Sequence, residues 1–130
     1  MSVEIDLPDV KDEVEAAFAA YEKALVENDV AALDRFFLDR PTTIRYGVGE
    51  NLYGYAAIAA FRAGRSPAGL ARTLAETVIT AYGRDFAVAA TLFRRASAPG
   101  KVGRQMQTWV RMAEGWRVAA AHVSIIDEPR

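Results

Sequence analysis

Arginine and tyrosine are the residues here whose types and spacing could do chemistry. Arg45 sits in TTIRY, a run of β-branched and aromatic residues that predicts a strand over Thr42 to Tyr46. Ile58, Phe61, Arg62 and Arg65 follow at i, i+3, i+4 and i+7, so two guanidiniums continue the apolar stripe of a helix. Three guanidiniums against one apolar surface are costly without anionic partners. Those partners could be carboxylates of the chain, such as Glu50, Glu76 or Asp85, or the side chains could snorkel to water. The third choice is an anionic ligand, held by two-pronged hydrogen bonds. Tyr21 lies on the apolar stripe of an earlier helix. It is either a core tyrosine whose hydroxyl finds one partner, or a hydroxyl made more acidic by Arg45 and suited to moving a proton or positioning water.

The late strands add polar candidates. Gln105, Gln107, Trp109 and Arg111 alternate onto one face, and Met106, Thr108, Val110 and Met112 onto the other. Gln107 and Trp109 suit a ureido ligand, an amide to read an amide and a flat ring to stack on a planar one. The alternative is that their face meets solvent or a second copy of the chain. Trp116, Val118, Ala120, His122 and Ser124 alternate onto one face of the last strand, which adds His122 and Ser124 as substrate-binding candidates. A strand histidine satisfied by a neighbour is the competing reading of His122.

Other chemistries are absent. The chain has no cysteine and a single histidine, which excludes a thiol nucleophile, a disulfide and a histidine-based metal triad. Residues 1–40 hold 11 acids and 4 bases, and the remaining 90 hold 6 acids and 12 bases. The acids therefore concentrate on the first helices, and the later part offers few for a carboxylate metal site. No metal and no cofactor is the expectation. Neither GxSxG, HExxH nor a phosphate-binding GxxxxGK[ST] occurs, and Gly47-Val48-Gly49 is too short for a dinucleotide fingerprint.

The elements that must position these residues can be read in order. Asp9 after Pro8 is the expected N-cap of a helix carrying Val10, Val14, Phe18, Tyr21 and Leu25, with Glu15, Glu22, Lys23 and Glu27 solvated. Asn28-Asp29 ends it and caps a shorter helix through Ala31, Leu33, Phe36 and Phe37, closed by Pro41. The Arg45 strand breaks at Gly47, Gly49 and Gly54, and a third helix from Tyr55 stops at Ala63 to Pro67. Four strands follow, Leu70 to Tyr82, Phe86 to Arg95, Arg104 to Met112 and Trp116 to Ile126, joined by short turns as an antiparallel meander. The fold class is α+β, with helices on one face of a curved sheet and a conical cavity between them.

With 130 residues, 52% hydrophobic and 25% charged, the chain is expected to form one domain with its own core. A net charge of -1 argues against a general nucleic-acid or anionic-membrane binder. The N-terminal MSVEIDLPDVKDE is acidic where a secretion signal is basic, and no apolar run reaches membrane-spanning length. A soluble, cytoplasmic protein without nucleic-acid or membrane partners is expected.

The α-α-β-α-β-β-β-β order and the closing EGWRVAAAHVS resemble the NTF2-like superfamily, in its SnoaL-like or ketosteroid-isomerase-like branch. TIRYGVGENLYGYAAIAAFRAGR and RQMQTWVRMAEGWRVAAAHVSIID narrow the resemblance to the AtzH-like (DUF3225) family, which includes proteins named for oxalurate catabolism. That resemblance implies an NTF2-like cone, a sheet wrapped around a long first helix. It also implies a decarboxylating amidohydrolase-type activity, hydrolase or lyase, on a small anionic ureido acid such as 1,3-dicarboxyurea. It associates the chemistry with a first-helix tyrosine and the arginine of the RYG strand, which match Tyr21 and Arg45 here. A steroid fits an arginine-lined pocket poorly and a small carboxylate fits it well. The expectation is that Tyr21 and Arg45 are catalytic and that Arg62, Arg65, Gln107, Trp109, His122 and Ser124 bind substrate. A homodimer through the sheet is expected too. The competing reading is a non-catalytic binding or partner subunit of a neighbouring amidase.

Overall fold

Pro8 begins the first helix, because its fixed φ suits the first helical position and its missing N–H costs nothing there. In the computed structural model, which describes residues 2–129, α1 spans Pro8–Val26. Its N-cap is Leu7, without a side-chain cap, so the capping role expected of Asp9 is corrected. Asp9 lies inside the helix and pairs on the surface with Arg84 instead. Val10, Val14, Phe18, Tyr21 and Leu25, the stripe read from the spacing, are buried, and Ala24 is buried with them. Asp29 caps α2, Val30–Phe36, by accepting the Ala32 N–H at 3.2 Å. That helix ends well before Pro41: Phe37 turns extended and bridges to Val118, so sheet pairing stops it and the proline does not.

The segment around Arg45 holds one more element than its glycines suggest. β1, Ile44–Tyr46, turns back as β2, Asn51–Tyr53, a short antiparallel hairpin; the expected break from strand straight into helix is corrected. α3 follows at Tyr55–Ala63. The four long strands are β3, Thr73–Tyr82; β4, Phe86–Arg94; β5, Lys101–Met112; and β6, Gly115–Asp127. β3 starts later and β5 earlier than the sequence suggested. They pair as the antiparallel meander expected. β1 joins β6 in parallel, with Arg45 opposite Ala121, giving one mixed six-stranded sheet in the order β2-β1-β6-β5-β4-β3.

A register shift decides which side chains face inward. Trp109 pairs with Val118 but Thr108 pairs with Ala120, so Ala119 is an extra residue in β6. Side chains alternate with period two, so one inserted residue moves all that follow to the other face. Trp116 and Val118 are buried, and beyond the bulge Ala121 is buried while His122 is exposed. The single face expected for Trp116, Val118, Ala120, His122 and Ser124 is therefore corrected: it is split in two. In β5 the alternation holds, with Gln105, Gln107 and Trp109 buried and Met106 exposed, whereas Arg111 is exposed and donates to the Arg84 carbonyl.

The core forms where α1 and α2 lie against the inner sheet face. Tyr21, Phe36 and Trp109 meet edge to face at centroid distances of 5.9–6.0 Å, contacts that favour the positive ring edge over the negative face and add about 0.5–1.5 kcal/mol each. The helical cover is incomplete over the other end of the inner face, and the cavity opens there. No helix among the described residues is long and apolar enough to cross a membrane.

Candidate functional site

The cavity has a volume of about 360 Å³, and five of its lining side chains are arginines: Arg45, Arg62, Arg65, Arg72 and Arg95. Tyr21, Glu50, Gln105 and Gln107 line it as well. Each comes from a different part of the fold. α1 supplies Tyr21, β1 supplies Arg45, and α3 with the loop after it supplies Arg62 and Arg65. The register that puts Thr73 opposite Arg94 brings Arg72 and Arg95, the next residues outward, to one end of the sheet.

Three of the arginines have carboxylate partners. Arg45 donates through Nη1 to Glu50 Oε1 at 2.9 Å, while the Gly49 N–H holds the other Glu50 oxygen at 3.1 Å. A Cβ on Gly47 would lie 1.7 Å from Glu50 Oε1, so only glycine lets that carboxylate fold over the strand. Arg62, 4% exposed, gives Nη1 to Asp34 at 2.8 Å and lies 4.8 Å over the Phe37 ring. Arg72 forks both oxygens of Glu22, at 2.7 and 2.6 Å, and reaches Gln105 Oε1 at 3.1 Å. Glu22 is therefore an ion-pair partner, where the sequence suggested a solvated acid. The partners anticipated for Arg45, Arg62 and Arg65 were Glu50, Glu76 or Asp85. Arg62 instead takes Asp34, and Glu50 serves Arg45.

Arg65 and Arg95 have no carboxylate partner among the described residues. Burial makes the Arg65 guanidinium easier to deprotonate, and the charges of Arg62, Arg45 and Arg95 push the same way; Tyr21 opposes them. Arg95 is shifted in the same direction by burial and then by Arg72, with Glu22 opposing. Both shifts have one physical cause: positive charge held out of water with too little negative charge beside it. Arg72 and Arg95 both lie over the Phe93 ring, at 4.5 and 4.8 Å. That ring occupies the space a Cβ on Gly103 would need, since the added atom would lie 2.0 Å from Phe93 Cζ.

The Tyr21 hydroxyl takes no hydrogen bond from any described residue, although the ring is 4% exposed and packed on three aromatic neighbours. The packing fixes the ring and leaves the hydroxyl for the cavity. Gln107 lines the cavity with its oxygen occupied by the Trp109 indole N–H at 3.1 Å, so its amide donors are what a ligand can use.

Of the residues selected from the sequence, the structure brings Tyr21, Arg45, Arg62, Arg65 and Gln107 to one cavity. Trp109 is fully buried beneath it, supporting the Tyr21 ring, and does not line it. His122 and Ser124 are on the opposite face, where His122 packs on Tyr46 and Ser124 accepts from Arg104 at 3.0 Å. Their expected place in the substrate site is corrected, and the Ala119 bulge is the reason. Sequence reasoning named Glu50 among the partners open to the three guanidiniums, but it missed Asp34 and Glu22 as partners, and Arg72, Arg95 and Gln105 as lining residues. Gln105 was within reach, since it alternates with Gln107 and Trp109. Arg72 and Arg95 stand beyond strand ends, where no periodicity marks them. No group of three or more His, Asp or Glu in a metal-holding arrangement occurs among the described residues.

The AtzH-like family model matches residues 3–129. Among solved structures, the chain is similar to a DUF3225-family protein of unknown function from Pectobacterium atrosepticum SCRI1043, with 57% identity over 95% of each chain and a TM-score of 0.92. A cystatin-like fold protein from Burkholderia xenovorans LB400 shares 46% identity over 98% of this chain and 99% of its own, with a TM-score of 0.94. An NTF2-like protein of unknown function from Pseudomonas putida KT2440 shares the fold, with 18% identity over 89% and 86% of the two chains and a TM-score of 0.75. No curated protein matches the chain.

Proposed function

The chain belongs to the AtzH-like family, and from that premise we propose that its arginine-lined cavity is the active site of a cofactor-independent enzyme. The substrate class is a small, planar, anionic ureido acid of the 1,3-dicarboxyurea or oxalurate kind. The observation that carries the reading is that Tyr21 and Arg45 line one cavity, with the Tyr21 hydroxyl unclaimed by the protein.

Each residue then has a role. Arg45 spends one donor on Glu50 and keeps the rest of its planar fork for a substrate carboxylate. Arg62 is committed to Asp34 and sets the field, while Arg65 supplies the second cationic contact. Gln107 offers amide donors to the ureido carbonyl. On 1,3-dicarboxyurea, which carries N-carboxy groups where oxalurate does not, the reaction is loss of one of them: R–NH–COO⁻ and a proton give R–NH₂ and CO₂. The bond between nitrogen and the carboxyl carbon breaks, its electron pair stays on nitrogen, and the Tyr21 O–H delivers the proton there. Water returns the proton to the phenolate. Neighbouring guanidiniums offset the negative charge that develops on the oxygen as the proton leaves.

The outer sheet face supports a second proposal, a homodimer packed sheet to sheet. Val78, Phe86, Met106 and Ile126 are exposed there, beside a groove of about 350 Å³ lined by Ile44, Tyr46, Val88 and His122. Large apolar side chains exposed on a water-facing sheet call for cover.

The test is a panel of oxalurate, 1,3-dicarboxyurea, allophanate and ureidoglycolate, with carbon dioxide, ammonia and urea measured as products. Turnover of one member by the wild type and its loss in Tyr21→Phe is the expected result. A folded protein that turns over none of them but binds a neighbouring amidase would replace the enzyme with a partner subunit.

A further inference from the structure

The polar side chains lining the cavity are mostly donors. Five are guanidiniums, which carry N–H groups and no acceptor. Gln105 and Gln107 are made donors by their neighbours, because Arg72 and the Trp109 indole, donor-only groups themselves, occupy the two amide oxygens. The Ser66 hydroxyl is spent on the Ala68 N–H at 3.2 Å, and the Tyr21 hydroxyl donates in the reaction described above. A ureido acid does not present acceptors alone. Its carboxylate and carbonyl accept, but a ureido nitrogen carries an N–H, and a donor taken out of water without an acceptor is costly. Glu50 is the one carboxylate among the described residues that line the cavity. Local structure holds it there. Oε1 accepts from Arg45 and Oε2 from the Gly49 N–H, the Gly47 N–H donates to the Glu50 carbonyl at 2.9 Å, and the missing Cβ of Gly47 leaves the carboxylate its space. A carboxylate has room for about four hydrogen bonds, and the protein uses one on each oxygen.

We propose that Glu50 is a substrate-binding residue that accepts the ureido N–H. The Arg45–Glu50 pair then reads the nitrogen and its carboxylate together: the guanidinium takes the carboxylate, and Glu50 takes the N–H beside it. The proposal rests on the reading above that the cavity binds a small ureido acid, and it adds the residue that tells such an acid from an ordinary carboxylate. Arg45 alone would hold either. With Glu50 on one of its nitrogens, an acid that brings no N–H meets a like charge with nothing to offset it, whereas a ureido acid turns that contact into a hydrogen bond. Discrimination thus has a repulsive part as well as an attractive one.

Two stable probes differ at that N–H alone. Ureidoacetate, H₂N–CO–NH–CH₂–COO⁻, becomes succinamate when its inner N–H is replaced by CH₂, and the charge is the same. Titration calorimetry at neutral pH and fixed ionic strength should show ureidoacetate binding at least about tenfold more tightly, as expected for one hydrogen bond to a charged acceptor. Glu50→Gln keeps the size and removes the charge. It should cut the preference to about threefold or less, since a neutral acceptor is roughly half as strong. Succinamate should bind that variant as tightly as the wild type or more tightly, because the repulsion is gone. A variant that had only lost its shape would bind both acids less well. Gly47→Ala is the second variant and leaves Glu50 in the chain. The added Cβ falls 1.7 Å from Glu50 Oε1, so the flexible side chain has to swing off Arg45. The preference should fall there too, and this variant decides the matter if Glu50→Gln fails to fold. Equal binding of the two acids by the wild type, no binding of either at millimolar concentration, or an intact preference in a folded variant overturns the role of Glu50. Ureidoacetate preference without turnover of any ureido acid leaves Glu50 standing and removes the enzyme, and turnover without that preference does the reverse.

Discussion

Gln105 and Met106 are neighbours in β5 and sit in opposite chemistries. Gln105 points into a cavity crowded with guanidiniums, and Met106 stands 57% exposed on an apolar surface. The same sheet presents an inner face that holds buried guanidiniums and an outer face where apolar side chains stand exposed beside solvated charges such as Arg104. On the inner face, each buried charge has to be answered by a neighbour, and the protein answers three of five arginines with carboxylates drawn from α1, α2 and the β1–β2 turn. On the outer face the charges reach water, Arg104 among them, and apolar area needs cover instead. The proposed chemistry therefore belongs to the inner face and the proposed assembly to the outer one. Substitutions on the two faces should fail in different measurements.

The largest effect is expected from Tyr21→Phe. The ring and its aromatic contacts remain and only the hydroxyl goes, so turnover should fall about 10²–10⁴-fold with substrate affinity little changed. Single-turnover kinetics checks the rate, and a thermal melt checks the fold. A normal rate would move the proton donor elsewhere and break the contrast at its strongest point. Arg45→Lys comes next. The charge stays but the planar fork is lost, so binding should weaken by roughly ten- to a hundred-and-fifty-fold, the equivalent of about 1.5–3 kcal/mol. Ligand titration measures it, and a fall in rate without a fall in affinity would reassign Arg45 from binding to chemistry.

On the outer face, Met106→Asp puts a charge in the middle of the proposed sheet-to-sheet contact. It should weaken self-association at least about tenfold, an effect of about 1.4 kcal/mol, with turnover per chain retained. Light scattering should then report the 14.2 kDa monomer where the wild type reports twice that mass. A wild type that is already monomeric at micromolar concentration removes the dimer. The smallest effect is expected from His122→Ala, which should change kcat/KM by less than about twofold because the side chain faces away from the cavity. A large loss there would mean that the outer groove communicates with the site, and the division of the two faces would need redrawing.

Much of this arrangement was legible before any coordinate. The stripe Val10, Val14, Phe18, Tyr21 and Leu25 is buried as its 3.6-residue spacing requires, because a long amphipathic helix has one way to hide its apolar face. The meander followed from turn residues between β-rich runs, and the alternation of β5 correctly separated Gln105, Gln107 and Trp109 from Met106. The AtzH-like resemblance, carried by the segments around Arg45 and Trp116, agrees with the family match.

What the sequence determined by itself is therefore local: periodicity, turn chemistry, and the presence of guanidiniums on apolar stripes. Tertiary structure decided three things. The single extra residue Ala119 moved His122 and Ser124 out of the site, because a bulge is fixed by the partner strand's register and leaves no mark in the alternation itself. The ion pairs were decided across distant elements, Arg62 with Asp34 and Arg72 with Glu22, because a charge takes whichever partner the packing brings within reach. Arg72 and Arg95 became part of the cavity only when β3 and β4 paired, since two residues at strand ends share a place through the sheet and through nothing in the sequence around them.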